Sequence, residues 1–488
     1  MTNTNGQDQV LRVAFPSDKP ATDYEPTKIH FDSQYIFLEN VYSPLVEFDK
    51  IGALRGGVAE HADWVGNELR LTIRPGLKTE NGTPITAADV IFSLKRLLVL
   101  SSNTHGNFKD LVCPGVQLKT VEDDCPDLKQ DGNVVIIKAE KREPFLLPML
   151  AAIDFAIIPR SSTDPNTLKI INYKETSGPY YVTKDDGHGH IELKINPYSY
   201  HVTKDIPQTV ELVPELTAES SLKALLNDQV DLITTIDAAR ADKVLPFAEK
   251  HPEFRLHATK AIRETFLLFT ARGLKDFSVN QRRFISDKVR GIFSDIYKST
   301  PGFNPIDTFF PSFSDVGLNS HEQAEIDELK RLGGTRPERP IEIGLLHQGH
   351  EKICTEMIRK YLPNAHCSPI TNIPGFESDS SAAKMPDAYV ASTDTSFQED
   401  INLISYSLNA GLFGLTKPER ADWLAKYMSI DDKHKRIQML RKLQFDALSS
   451  ATIAPLLSSP YTALVRKPWH FELPAIYAND PFWLIKRD

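Results

Sequence analysis

Four cysteines and a His-Gly-His turn are the groups in this chain whose types and spacing most readily suggest chemistry. Cys113 and Cys125 share a loop rich in proline, glycine and aspartate, while Cys354 and Cys367 flank a helix and the turn after it. Two local disulfides fit this placement, and so do four separate buried thiols, because a bridge also needs facing Cβ atoms at the right distance. His188-Gly-His190 puts two imidazoles in a hairpin turn without acidic or cysteine partners, a poor metal site, so neither metal nor cofactor is expected. The chain has no Walker loop, no Gly-x-Ser-x-Gly elbow, no His-Glu-x-x-His, no Cys-x-x-Cys and no dinucleotide fingerprint. Enzymatic readings are therefore weak, and product analysis after incubation with peptides would test the remaining one, a hydrolase.

Such groups need a scaffold, and the composition bounds it. The 488 residues exceed what a single core supports and point to about three domains or one large multi-lobed body. With 41% hydrophobic and 25% charged residues the chain reads as soluble and globular. Its 65 acidic and 56 basic residues give a net charge of -9 with no long basic run, so the footprint of a nucleic-acid binder is missing. Apolar stretches such as 145–152 and 266–269 fall far short of the ~20 residues a membrane helix needs. A polar run, 2–9, follows Met1 with no charged n-region or apolar h-region, which leaves a cytoplasmic protein or one whose leader has been removed.

Periodicity then places the elements. Residues 10–15 form a short apolar strand that ends in a long polar, proline-containing loop through Pro26. In 68–74, Leu69, Leu71 and Ile73 alternate with Arg70, Thr72 and Arg74, the period of a half-buried strand. Thr86 stands three residues before Asp89, and Val90, Leu94, Leu97 and Leu98 follow at helical spacing, predicting a capped helix to about Leu100. Strands are expected at 133–139 and 155–159, a hairpin at 180–183 and 191–195 around Asp186-Gly187, a helix at 218–226 and an extended run at 230–233. Beyond 280 the pattern alternates: helix 280–294, strand 341–346, helix 351–361, buried strand 387–391, helix 433–449, extended 461–466. That is an α/β pattern.

In order along the chain, Val41-Tyr-Ser-Pro-Leu-Val-Glu-Phe-Asp49, Gly57-Val-Ala-Glu60, the 69–77 strand and the block from Asn81-Gly-Thr-Pro-Ile-Thr-Ala-Ala-Asp to Lys95-Arg96 resemble the signature of family 5 extracellular solute-binding proteins, the oligopeptide- and dipeptide-binding proteins of ABC importers. Thr176-Ser-Gly-Pro-Tyr-Tyr181, Asn196-Pro-Tyr-Ser-Tyr200 and the helix at 281–293 agree with it. Only the 81–96 block is specific enough to stand alone, and it serves the inserted subdomain rather than a ligand.

The resemblance implies an α/β, two-lobed periplasmic-binding-protein fold of type II, of the large cluster with an extra subdomain in the first lobe. Lobe I would comprise 8–40, 166–262 and 458–488, its inserted subdomain 41–165, and lobe II 263–457, with crossings near 261–271 and 456–465. Peptide-binding relatives hold the ligand ammonium with an Asp after a lobe II strand, which here corresponds to Asp394 in Ala391-Ser-Thr-Asp394, without the family's Trp. Dipeptide binders place an Arg after another lobe II strand, where this chain has His347, Gln348 and His350 instead, groups able to hydrogen-bond a ligand or sense pH. In lobe I the family's contact segment maps onto Phe31, Asp32 and Ser33, with Phe31 able to stack or to serve simply as core. The expectation is a monomeric periplasmic or membrane-tethered receptor that captures a peptide or peptide-like small ligand by hinge closure and hands it to importer permease subunits. The rival is a ligand-sensing signalling module of the same fold.

Overall fold

The structure is a computed structural model describing residues 10–29, 32–49, 53–100, 106–143, 145–235, 238–300, 302–310, 315–346, 355, 358–370, 385–394, 412–472 and 481–488. The chain forms two compact units of mixed α/β structure. One comprises Met1–Thr234, Ala248–His257 and Ala463–Asp488, and the other Thr235–Phe247 and Ala258–Thr462.

In the first unit, β1 (Val10–Phe15) is followed by the connecting segment 16–29 and by α1 (Asp32–Val41). Next comes a separate antiparallel sheet of β2 (Ala59–Val65), β3 (Glu68–Ile73), β4 (Leu128–Asp131) and β5 (Val134–Lys138), in the order β2-β3-β5-β4. On β3, Leu69, Leu71 and Ile73 are buried, as the period of two requires. They meet Val90, Leu94 and Leu97 of α2 (Ala87–Leu100) in one apolar cluster. The capping pair holds as read: Thr86 donates from its backbone N–H (2.9 Å) and its hydroxyl (2.8 Å) to Asp89. Cys113 and Cys125 are disulfide-bonded inside this cluster, with Cα atoms 5.6 Å apart. Of the second cysteine pair, Cys367 is a free, buried thiol pushed up to about 11 by burial, and Cys354 lies outside the described residues.

The expected strand at 155–159 does not form. A 3-10 turn occupies Ile153–Phe155, and the backbone beyond it is spent on single contacts, Ile157 N–H to Ser43 O (2.9 Å) and Ile158 N–H to the Ser93 hydroxyl (2.8 Å). The hairpin of β6 (Tyr180–Asp185) and β7 (Ile191–Ile195) lies where its turn signal put it. It belongs to a second sheet that continues through β8 (Thr209–Pro214), β1 and β9 (Leu232–Thr235), and α3 (Ala218–Leu226) connects β8 to β9 along the chain.

Two buried charges pin distant segments of this unit together. Arg96, 2% exposed at the end of the 81–96 block, grips Glu25 in the loop after β1 with two hydrogen bonds, at 3.0 and 2.6 Å, and donates a third to Leu168 O. The block therefore also fixes the loop that leads to Phe31–Ser33. Glu47, 6% exposed, receives Arg55 (3.0 Å) and the Tyr200 hydroxyl, and its Oε1 lies 2.9 Å from His201 Nε2. His201 in turn stacks on Trp483, 4.3 Å between centroids. Burial alone would raise the Glu47 carboxyl, but His201, Arg55 and Tyr200 outweigh it and hold Glu47 below the usual carboxylate range.

In the second unit, β10 (Phe254–Phe269), whose first residues belong to the first unit, is hydrogen-bonded to two strands of a larger sheet. α4 (Val279–Tyr297) opens on a capping box between Ser278 and Gln281. β11 (Glu342–Leu346), β12 (His366–Ile370) and β13 (Ala388–Asp394) are mutually parallel, β13 runs antiparallel to β10, and the order is β12-β11-β13-β10-β14, with β14 at Ile453–Arg466. α5 (Lys433–Ser449) buries Leu440, Leu443 and Ala447. Within that apolar stripe the Gln444 carboxamide accepts the backbone N–H groups of Phe309 (2.7 Å) and Phe310 (3.1 Å). Most of the helix expected at 351–361 lies outside the described residues.

Three outcomes follow from this packing. Non-reducing peptide mapping should recover the Cys113–Cys125 bridge, and replacing both residues with serine should cost about 3 kcal/mol of unfolding free energy. Arg96→Leu should cost about 3–5 kcal/mol in urea unfolding, since it strands Glu25, and should expose segment 16–29 to limited proteolysis. Because its folded-state pKa is depressed, Glu47 stabilises the protein fully above its unfolded value of about 4.3 and loses that contribution as pH falls through the folded value. The gap in urea midpoint between wild type and Glu47→Gln should therefore narrow between about pH 6 and about pH 3. A constant gap would show that Glu47 does not titrate in this way.

Candidate functional site

In open α/β sheets, ligands meet the carboxyl ends of parallel strands where neighbouring strands continue in opposite directions across the sheet. Each unit contains one such point. In the first, β1 lies between β8 and β9 and is parallel to both, with Phe15 opposite Pro214 and Val13 opposite Leu232. The loop leaving β1 is held in place along its length. The Tyr24 hydroxyl donates to the Ser17 hydroxyl (2.8 Å), Ala21 N–H donates to Asp185 (2.8 Å), and Tyr24 packs between Phe15 and Phe37. Burial pushes the Tyr24 phenol up to about 12, so it stays a neutral donor. Gly189 approaches the loop so closely that a Cβ there would lie 2.5 Å from Ser17 O, and its φ of +85° suits glycine. The His188-Gly-His190 turn is thus a buttress for the loop. Of the sequence candidates here, Phe31 lies outside the described residues. Asp32 opens α1 with its side chain undescribed, and Ser33 is buried in the first turn of α1.

In the second unit, β11 lies between β12 and β13 and is parallel to both, with Ile343 opposite Ala388 and Leu345 opposite Val390. The carboxyl ends of β11 and β13, Leu346 and Asp394, therefore fall on one edge of the sheet. His347, Gln348 and His350 follow Leu346 directly in sequence and lie outside the described residues. Asp394 is the last residue of β13, and the ladder sets it directly opposite Arg263 of β10. Nothing further is described of its side chain.

This register exposes a feature that sequence reasoning passed over. Along β10 the buried residues change character: Phe266, Leu267, Leu268 and Phe269 are apolar, whereas Thr259, Arg263, Glu264 and Thr265 are polar. The neighbouring strands match them with buried Ser392 on β13 and with Ser458, Ser459, Tyr461 and Thr462 on β14. Arg263 Nη1 lies 3.4 Å from the Tyr461 hydroxyl, the Thr265 and Ser392 hydroxyls are 2.9 Å apart, and Tyr461 N–H donates to the Thr259 hydroxyl at 2.9 Å. Burying a guanidinium and a carboxylate costs several kcal/mol each unless they are well paired, and apolar side chains of similar volume would hold a strand at least as well. The signal was available in the sequence as Arg263-Glu264 just before the apolar run 266–269. Among the described residues, no group of three or more His, Cys, Asp or Glu is placed to hold a metal ion, and no helix is long and apolar enough to cross a membrane.

Comparison with known proteins extends the resemblance to whole chains. Residues 54–291 match the family described as bacterial extracellular solute-binding proteins, family 5 Middle. The periplasmic murein peptide-binding protein MppA of Escherichia coli (strain K12) is 22% identical over 379 residues, 71% of this chain and 68% of that protein. Haemophilus influenzae OppA, solved in complex with RPPGFSPFR, superposes with a TM-score of 0.75 at 14% identity, covering 99% of both chains. NikA of Brucella suis, solved with Fe(III)-EDTA, gives a TM-score of 0.78 at 15% identity, covering 99% of this chain and all of that one. The α/β units described above thus form a periplasmic-binding-protein fold, and residues 54–291 of the chain match the family 5 extracellular solute-binding proteins.

Proposed function

We propose that this protein is the extracytoplasmic receptor of an ABC importer, binding a peptide or peptide-like small ligand and catalysing no reaction. The observation that carries the reading is the buried polar strip where β10, β13 and β14 meet. A peptide brings an ammonium, a carboxylate and a row of amide groups, and it needs both signs of charge and hydroxyl partners once it leaves water. The strip supplies Arg263 for a carboxylate, Glu264 for an ammonium, and the hydroxyls of Thr265, Ser392, Ser459 and Tyr461 for amides. Asp394 adds a second acidic position opposite Arg263. His347, Gln348 and His350 of lobe II and Phe31, Asp32 and Ser33 of lobe I complete the proposed contacts. The relatives' cargoes include a murein peptide, the peptide RPPGFSPFR and Fe(III)-EDTA, and a strip carrying both charges favours the peptides.

The receptor would act outside the cytoplasmic membrane as a monomer, present its ligand to permease subunits, and capture it by hinge closure of its lobes. A ligand that makes more contacts in the closed state shifts the population towards closure by that differential affinity.

Native mass spectrometry of freshly purified protein, followed by calorimetry with short peptides, tests this reading. Retained peptide, a melting temperature that rises with peptide concentration and a smaller radius of gyration on saturation are expected. Arg263→Met and Asp394→Asn should each weaken the retained peptide by about 1.5–3 kcal/mol with the circular dichroism unchanged, as for a lost charge-assisted hydrogen bond. Peptides that neither stabilise the protein nor compete with its bound cargo would refute peptide capture.

A further inference from the structure

A hollow of about 340 Å³ opens on the second unit between α4, the segment 336–341 and the segment 360–365. Its wall is apolar where Phe284, Ile341 and Leu362 contribute, and basic where Lys288, Arg336, Arg339 and Lys360 contribute, with no acidic lining residue. The four cations are not equivalent. Arg339 is neutralised, with two hydrogen bonds to Asp387 at 3.0 and 2.8 Å and one to Asp276 at 2.9 Å. The others form no ion pair among the described residues. Lys288 Nζ sits 5.4 Å from the Phe284 ring centroid and Lys360 Nζ 5.6 Å from that of Tyr361. The Tyr361 ring is itself fixed through its hydroxyl, which donates to Asp295 at 3.0 Å. Ring faces orient an ammonium without cancelling its charge.

Three cations without an ion pair among the described residues, converging on one hollow in a chain whose net charge is -9, concentrate a positive field where the molecule as a whole repels anions. The volume lies within the range of small-ligand sites, about 300–1,000 Å³. A carboxylate would engage one or two of these groups, whereas a phosphate group, with a charge of about -1.5 to -2 and three acceptor oxygens, matches all three. The apolar wall beside them fits a phosphate carried on a hydrophobic body. We propose that this hollow is a second binding site, separate from the buried polar strip, that takes a phosphate group attached to an apolar moiety. The group belongs either to a free phosphorylated molecule or to an anionic phospholipid headgroup.

The test uses the full chain and the triple variant Lys288→Ala, Arg336→Ala, Lys360→Ala, whose replaced side chains are exposed, so that its fold should persist. Phenyl phosphate is titrated at constant ionic strength, with spectral shifts of the tyrosines as the readout. In parallel, protein is cosedimented with vesicles of phosphatidylglycerol and phosphatidylcholine or of phosphatidylcholine alone. Wild type should bind phenyl phosphate, or the phosphatidylglycerol vesicles in preference to the neutral ones, and the triple variant should bind at least about tenfold more weakly. Binding of phenyl phosphate without vesicles assigns the site to free phosphorylated molecules, and the reverse assigns it to the headgroup. Failure of both probes, or equal binding by the variant, overturns the proposal. Peptide binding is read separately, so its loss or retention leaves this result standing.

Discussion

Removing a charge from water costs several kcal/mol, and this chain does so at a few places that then organise everything around them. Arg96 is buried and spans from the family's signature helix to the loop after β1 through Glu25. Glu47 gathers Arg55, Tyr200 and His201. Asp387, fully buried, takes two bonds from Arg339 and the N–H of Glu342, and so locks the start of β11 to the start of β13. Arg282 does the same for α4, donating to the carbonyls of Phe277, Ser450 and Ala451. For Arg96, Asp387 and Arg282 these bonds reach segments remote in sequence, at Leu168, Arg339 and Ser450. Apolar burial supplies most of the stability, while these charges decide which alternative packings are unacceptable.

The same rule separates scaffold from site. Arg96, Asp387 and Arg282 are saturated by protein groups and have little to offer a ligand. The strip around Arg263 combines two adjacent opposite charges on β10 with a run of hydroxyls on β10, β13 and β14. Such a strip can be re-dressed by substitution without disturbing the strands beneath it, because backbone ladders do not depend on which polar side chain they carry. Proteins of this fold have been solved with ligands as unlike as RPPGFSPFR and Fe(III)-EDTA.

Much of the fold was legible because its signals are local. The Thr86–Asp89 cap, the alternation of Leu69, Leu71 and Ile73 and the turn at Asp186-Gly187 each involve residues within a few positions of one another. The strand expected at 155–159 failed because an apolar run does not reveal whether a neighbouring strand is there to receive its hydrogen bonds. The site was less legible. That Asp394 faces Arg263 depends on pairing between strands far apart in sequence, and one residue of slip would put it on the other face. Arg263-Glu264 could be seen as charges beside the apolar run 266–269, but their burial could not. The Cys113–Cys125 bridge was open in the sequence and closed only by the Cα separation in the folded loop.

The Asn40 carboxamide accepts the backbone N–H of Phe482 at 2.7 Å, across 442 positions of sequence. His201 leans on Trp483 in the same region, and Arg255 pairs with Asp488. The first unit to emerge during synthesis therefore cannot be completed until nearly all of the second has been made. Closing so large a loop is slow, since its entropy must be lost before the contact repays it. An order of assembly that keeps the earliest segment unfinished leaves the chain pliable until late, and a polypeptide that has to be threaded through a translocation pore before it folds would benefit from that delay.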